Sequence, residues 1–130
     1  MRPFLDTNIL VYAQQNEPFG PRAREIVRQG GAISVQVLNE FTSVLRRKMQ
    51  RAWPEIEAAL ADIVIVLGPA APLTTDIHAA ALALARDHNF SFYDALIVAA
   101  AQDAGCDVLY TQDMQHGREL EGLRIVDPFR

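Results

Sequence analysis

The sequence predicts an α/β fold: a central, mainly parallel sheet of four to five strands with helices on both faces. Three observations predict it. Short strand-like apolar runs recur at Phe4-Leu5, Ala32-Ile33-Ser34, Ile63 to Leu67, Cys106 to Tyr110 and Leu123 to Val126. Stretches with a helical apolar period lie between them, the alternation expected of strands joined by crossover helices. The 130 residues, half of them apolar, suffice for a single domain over 1–130, and no repeat, low-complexity stretch or linker divides them.

The first strand ends at Asp6, where Thr7 or Asn8 is placed to cap a helix beginning at Ile9-Leu10-Val11-Tyr12. A polar loop to Gly20 follows, and Pro21 opens a short helix that stops at Gly30-Gly31. Ser34 then caps a longer helix from Val35 to about Lys48, with Val37, Phe41, Val44, Leu45 and Met49 as its apolar stripe. Trp53-Pro54-Glu55 starts another helix, and the continuous run Ile63-Val64-Ile65-Val66-Leu67 reads as a strand covered on both faces, ended by Gly68-Pro69. Thr74 or Thr75 caps a helix to about Asp87, and Ser91 caps the next, Phe92 to Gln102, which is apolar nearly all round and therefore central. Cys106 to Tyr110 forms a further strand, and Leu123 to Val126 closes the chain as a short edge strand.

No apolar run reaches the roughly 18 residues of a membrane span, and Met1-Arg2-Pro3 leads straight into strand-like sequence without a signal-peptide core, so a cytoplasmic protein with no membrane partner is expected. One cysteine, Cys106, excludes an intrachain disulfide or a cysteine-based zinc site. The formal net charge is -4, yet setting aside Asp6, Glu40, Asp94 and Asp113 leaves the rest of the chain neutral. Eleven of the twelve basic residues are arginine, a choice suited to bidentate phosphate contacts.

Those four acids carry the chemistry. In a parallel α/β sheet the site lies at the carboxyl ends of the strands. Asp6 ends the first strand, Glu40 sits just over one turn into the helix after the second, Asp94 lies in the first turn of a helix, and Asp113 follows the fourth strand. Singly, each has a plain reading: Asp6 caps a turn, Asp94 completes a capping arrangement with Ser91, Asp113 is a turn residue, and Glu40 is a helix acid facing Arg47. Together they would repel one another and raise their own pKa values unless a divalent cation compensates. An all-oxygen set suits Mg²⁺ or Mn²⁺, and such a site serves phosphoryl chemistry without a covalent nucleophile.

Phe4-Leu5-Asp6-Thr7-Asn8-Ile9-Leu10, Asn39-Glu40-Phe41, Tyr93-Asp94 through Ala101, and Leu109-Tyr110-Thr111-Gln112-Asp113 through Gly117 resemble, in that order, the motifs of PIN-domain ribonucleases of the VapC toxin type. The resemblance runs nearly end to end and implies the three-layer PIN-like fold. It implies that Asp6, Glu40, Asp94 and Asp113 form an acidic quartet holding Mg²⁺, with Mn²⁺ able to substitute, and that Thr7, Asn8 and Thr111 orient those carboxylates. Gln112 stands where relatives often carry an acidic or amide residue. The resemblance further implies an endoribonuclease acting on tRNA or rRNA, a homodimer, and silencing by a VapB-type antitoxin whose tail enters the active-site groove.

The residues themselves add candidate RNA contacts. Arg46, Arg47, Lys48 and Arg51, and also Arg22, Arg24 and Arg28, could follow phosphates or equally form solvated helix faces. His116 and Arg118 follow Asp113 closely enough to meet a scissile phosphate. The apolar surface of the Val35 helix and the Trp53 region could receive an antitoxin, a second protomer or the core. Among competing readings, a PIN-like module that binds RNA or protein without cutting sits poorly with an intact quartet. A phosphoacceptor receiver would need a lysine after a late strand, whereas Lys48 lies on a helix; a dehalogenase-like phosphatase would need Asp where Asn8 stands. A housekeeping RNA-processing nuclease shares every catalytic residue with a toxin.

Overall fold

The computed structural model describes residues 2–130. Its elements are β1 (Phe4–Leu5), α1 (Thr7–Ala13), α2 (Gly20–Gln29), α3 (Val35–Arg47), α4 (Trp53–Leu67), α5 (Thr75–His88), α6 (Phe92–Asp103), β2 (Val108–Tyr110), β3 (Glu119–Leu120) and β4 (Leu123–Val126). The sheet runs β1-β2-β4-β3, parallel except for the antiparallel β3–β4 pair. Leu109 lies opposite Phe4 and Ile125, so one register puts three apolar side chains, all fully buried, across the middle of the sheet.

Two stretches outside the named strands continue the sheet beyond β1. Ala32 donates to Pro3 O at 2.8 Å while Leu5 donates to Ala32 O at 2.9 Å, and Ser34 bridges to Ala71 in the same parallel sense. The expected strand at Ala32-Ile33-Ser34 is thus a pair of bridges and not a longer ladder. It ends where Ser34 Oγ accepts from Val37 N to start α3.

The run Ile63 to Leu67 is not a strand. It is the last turn and a half of α4, because nothing breaks the helix that Pro54 opens, and Ile56, Ala59, Ile63 and Leu67 recur on one buried face. Gly68, with φ of 84°, provides the positive-φ stop. The apolar run therefore has an outer face, and Ile65 is 80% exposed on it.

Two smaller expectations also change. The closing strand is internal to the sheet, because Glu121 and Gly122 both take positive φ, the geometry of a tight two-residue hairpin, and fold β3 back onto its outer side. The cap of α1 is Asp6 itself, accepting from Thr7 N, since the helix follows β1 without a loop.

α6 is central as expected, with every residue from Ala95 to Ala101 buried. Its Ala95, Leu96 and Ala99 meet Ile77 and Ala81 of α5, while Ile97, Val98 and Ala101 join the main core around Phe4, Phe41 and Leu109. Burial on this scale is worth about 25 cal/mol per Å² of apolar surface. The sole ion pair among the described residues, Arg86–Asp87, is solvent-exposed, so the fold rests on that burial. At the start of α2, a Cβ on Gly20 would stand 2.1 Å from Gln15 O, so only glycine permits the close return of α2 onto the end of α1. Among the described residues, no helix is long and apolar enough to cross a membrane.

Candidate active site

The carboxyl ends of β1 and β2 meet where Asp6 N donates to Tyr110 O at 3.0 Å, which brings Asp6 and Thr111 side by side. Asp6 is only 3% exposed. Its Oδ1 accepts from Thr7 N at 2.7 Å and its Oδ2 from Thr111 Oγ1 at 2.7 Å. Burial raises its pKa from 3.8 to about 7, against the lowering effect of those two bonds and with further upward pressure from Glu40 and Asp113.

Glu40 reaches this corner from α3. Its Oε1 accepts from Thr7 Oγ1 at 2.6 Å and its Oε2 from Gln36 Nε2 at 3.1 Å, so α1 and α3 are joined through one carboxylate, and Arg47 is not its partner. Asp113 is exposed, with Oδ2 accepting from Asn8 Nδ2 at 3.1 Å. Asp94 is half-buried at the start of α6, where its N–H donates to Ser91 Oγ at 3.2 Å. Burial raises the pKa of Asp94 first, the Ser91 hydroxyl pulls it down, and the charges of Asp113 and Glu40 raise it again. Glu40 and Asp113 therefore act on both Asp6 and Asp94, which links the acids across one corner of the fold.

Thr111 is the hub that joins Asp6 to the Asp113 loop. Its hydroxyl donates to Asp6 and accepts from Asn8 Nδ2 at 3.3 Å and from Asp113 N at 3.1 Å. Asn8 in turn accepts from Gln112 N through Oδ1 at 3.2 Å. Among the described residues, every buried side-chain polar atom has a partner. Thr111→Val is expected to cost about 1–3 kcal/mol, because one change strips a bond from a buried carboxylate and an acceptor from Asp113 N. The loss should be greater at pH 8, where Asp6 is ionised, than at pH 5. Urea unfolding at both values would measure it, and an equal loss at both would refute the assignment.

Two residues that the sequence reading passed over belong to this network. Gln36 is buried and holds Glu40, a role its i, i+4 spacing could have signalled. Tyr12 donates its hydroxyl to Gln112 Oε1, and its ring packs against Phe19 and Phe129; burial and the charges of Asp113 and Asp127 push its pKa upward.

The other candidate contacts scatter. His116 accepts from Asp127 N through Nδ1 at 2.9 Å, and Arg118 donates to His88 O at 2.7 Å while lying over the Phe90 ring. Arg46 lies over Trp53 and donates to Arg51 O at 3.1 Å, and Arg47 is exposed in the last turn of α3. Arg24 is occupied by the carbonyls of Ala13 and Gln15 at the end of α1. A groove of about 460 Å³ opens beside the acids between α1 and α3, and it includes Thr7, Asn8, Glu40 and Asp113.

The donor set at this corner is carboxylate, hydroxyl and amide oxygen, the chemistry of a hard cation. No three acidic, histidine or cysteine side chains among the described residues stand close enough to cage an ion. The arrangement suits Mg²⁺, which keeps several waters and needs only one or two carboxylates, better than a cation that must be enclosed by protein. Asp6, when ionised, is a buried charge that calls for a counter-ion.

Among curated proteins none matches this sequence. Several solved structures share its fold, among them the three that follow. A toxin–antitoxin complex from Klebsiella pneumoniae is 20% identical over 97% of each chain, with a TM-score of 0.74. VapBC2 from Rickettsia felis, bound to a DNA fragment from its promoter, is 20% identical over 96% of this chain and 97% of the other, with a TM-score of 0.71. Mycobacterium tuberculosis VapC20, a sarcin–ricin loop cleaving toxin, is 22% identical over 85% of this chain and 88% of its own, with a TM-score of 0.66. The sequence model of the PIN domain matches residues 4–118, from the first strand through the loop that carries Asp113, and the chain therefore belongs to the PIN-domain family.

Proposed function

We propose that this protein is an Mg²⁺-dependent endoribonuclease, with Mn²⁺ able to substitute, that acts in the cytoplasm as the toxin of a toxin–antitoxin pair. The observation that carries the reading is a buried carboxylate, Asp6, under the charges of Glu40 and Asp113 and fixed from both sides by Thr7 and Thr111. Without a cation this corner repels a phosphodiester, so substrate binding and metal binding are coupled. Of Asp6, Glu40, Asp94 and Asp113, one or two would hold the ion directly and the others through its waters; when bound, the ion would neutralise phosphate oxygens and lower the pKa of a coordinated water. The chain's own residues orient: Thr7 fixes Glu40, Thr111 fixes Asp6, and Asn8 fixes Asp113. Arg46, Arg47, Arg51, His116 and Arg118 would make outer contacts with RNA.

That VapC20 cleaves the sarcin–ricin loop supports an RNA substrate, rRNA or tRNA. That the Klebsiella structure is a toxin–antitoxin complex supports a VapB-type partner. Exposed Val64, Ile65 and Val66 on α4 support protein partners, including a second copy of the chain in a homodimer.

The test is incubation of total cellular RNA with purified, antitoxin-free protein in Mg²⁺, in Mn²⁺ and in EDTA, beside Asp6→Asn prepared identically. Cutting at a few discrete positions, lost in EDTA and in the variant, is expected. Intact RNA after treatment with folded protein would favour a non-cleaving module instead.

A further inference from the structure

The groove beside the acids is graded along its length. Its α3 wall carries Glu40, Ser43, Val44 and Lys48, spaced three and four residues apart so that they share one helix face. Its α1 wall runs from Thr7 and Asn8 past Val11 and Tyr12 to Gln15. Acids stand at one end, apolar side chains in the middle, and a single cation at the other, for Lys48 is the only basic residue that lines it. Lys48 is also the only lysine in the chain.

We propose that Lys48 binds a phosphate of single-stranded RNA flanking the one that reacts, and so sets which side of the cleavage point occupies this groove. Eight residues separate Lys48 from Glu40, about 12 Å along a helix axis. The backbone at Lys48 is still helical, so its side chain leans back along α3 toward the acids. From that end of the groove the ammonium can reach a phosphate next to the one at the carboxylates. Val11 and Val44 between the two ends offer apolar contact to an unstacked base, which a duplex keeps inside its stack.

A cation at a helix C-terminus also favours the helix itself, but Arg46 and Arg47 already meet that need in the last turn of α3. Among the described residues Lys48 has no ion-pair partner, although acids line the same groove. Arg46 is held over Trp53 and at Arg51 O, which leaves the groove to Lys48.

This inference rests on the proposed nuclease reading and is tested so that the two can fail separately. Binding of a short single-stranded RNA is measured in Mg²⁺ in the Asp94→Asn background, where the RNA stays intact, across a salt series. Lys48→Gln is expected to weaken binding about five- to tenfold at low salt and to flatten the log–log salt slope by about 0.7, the contribution of one single-strand phosphate contact. Lys48→Arg should retain both, and Arg124→Gln, which removes a charge outside the groove, should change neither. In the native background Lys48→Gln should raise KM for cleavage and spare kcat. An unchanged salt slope for Lys48→Gln, an equal loss in Arg124→Gln, or no RNA binding by the native chain would overturn the proposal. Lys48-dependent binding by a native chain that never cuts would instead remove the nuclease reading, and with it the cleavage register, and leave Lys48 as an RNA-phosphate contact.

Discussion

Asp94→Asn is expected to slow RNA cleavage by at least about a hundredfold while the metal-free protein melts at the same temperature or slightly higher. Loss of an outer-shell partner of a metal site typically costs 10- to 100-fold, so loss of a carboxylate proposed to hold the ion should cost at least the upper figure. Stability moves the other way because Asn keeps the shape of the side chain and removes a half-buried charge that Asp113 and Glu40 oppose. The cap of α6 survives, since it is Ser91 Oγ accepting from the residue-94 N–H and not the Asp94 carboxylate. A pronounced drop in melting temperature would mean that Asp94 serves the helix start. Full cleavage by the variant would exclude it from the site.

The second large effect is on stability as a function of pH. Asp6 titrates near 3.8 in the unfolded chain and near 7 in the folded one, because burial favours its neutral form. Between those values the folded state binds the proton that the unfolded state has lost, so stability falls as pH rises. The full effect is roughly 4 kcal/mol, about three pH units at ~1.36 kcal/mol each. In EDTA the protein should therefore be more stable at pH 5 than at pH 8, with most of the decline complete just above pH 7. Asp6→Asn should flatten that decline. Saturating Mg²⁺ should offset it at pH 8 more than at pH 5, since the ion binds the deprotonated carboxylate of the folded state. Chemical unfolding at pH 5, 6, 7 and 8 would decide the matter, and stability that climbs across this range in EDTA would contradict the burial argument.

Several features were legible in the chain because they are local. Ser34, Thr74 and Ser91 each accept from the backbone N–H three residues on, and such caps depend on neighbours in sequence alone. The nearly uninterrupted apolar character of Phe92 to Gln102 required a helix covered on all sides, and α6 is so covered from Ala95 to Ala101. The order of the four acidic motifs was likewise readable, since a parallel sheet delivers strand ends and the helices after them to one edge.

Other features were settled only by packing. Five consecutive apolar residues at 63–67 have no period, so they fit a covered strand and a helix equally well; continuity with the helix opened by Pro54 decided for the helix and left Ile65 in solvent. The partners of the acids lie far off in sequence: Thr7 meets Glu40 across 33 residues, and Thr111 meets Asp6 across 105. Which of three consecutive basic residues faces the groove depends on where α1 lies against α3, and that placement selects Lys48 over Arg46 and Arg47. The sequence by itself determined the chemistry of the site, because carboxylates at strand ends carry their requirement for a counter-ion wherever they meet. The tertiary structure decided the geometry, because burial, and with it the rise in the pKa of Asp6, comes from the surrounding fold and not from the residue.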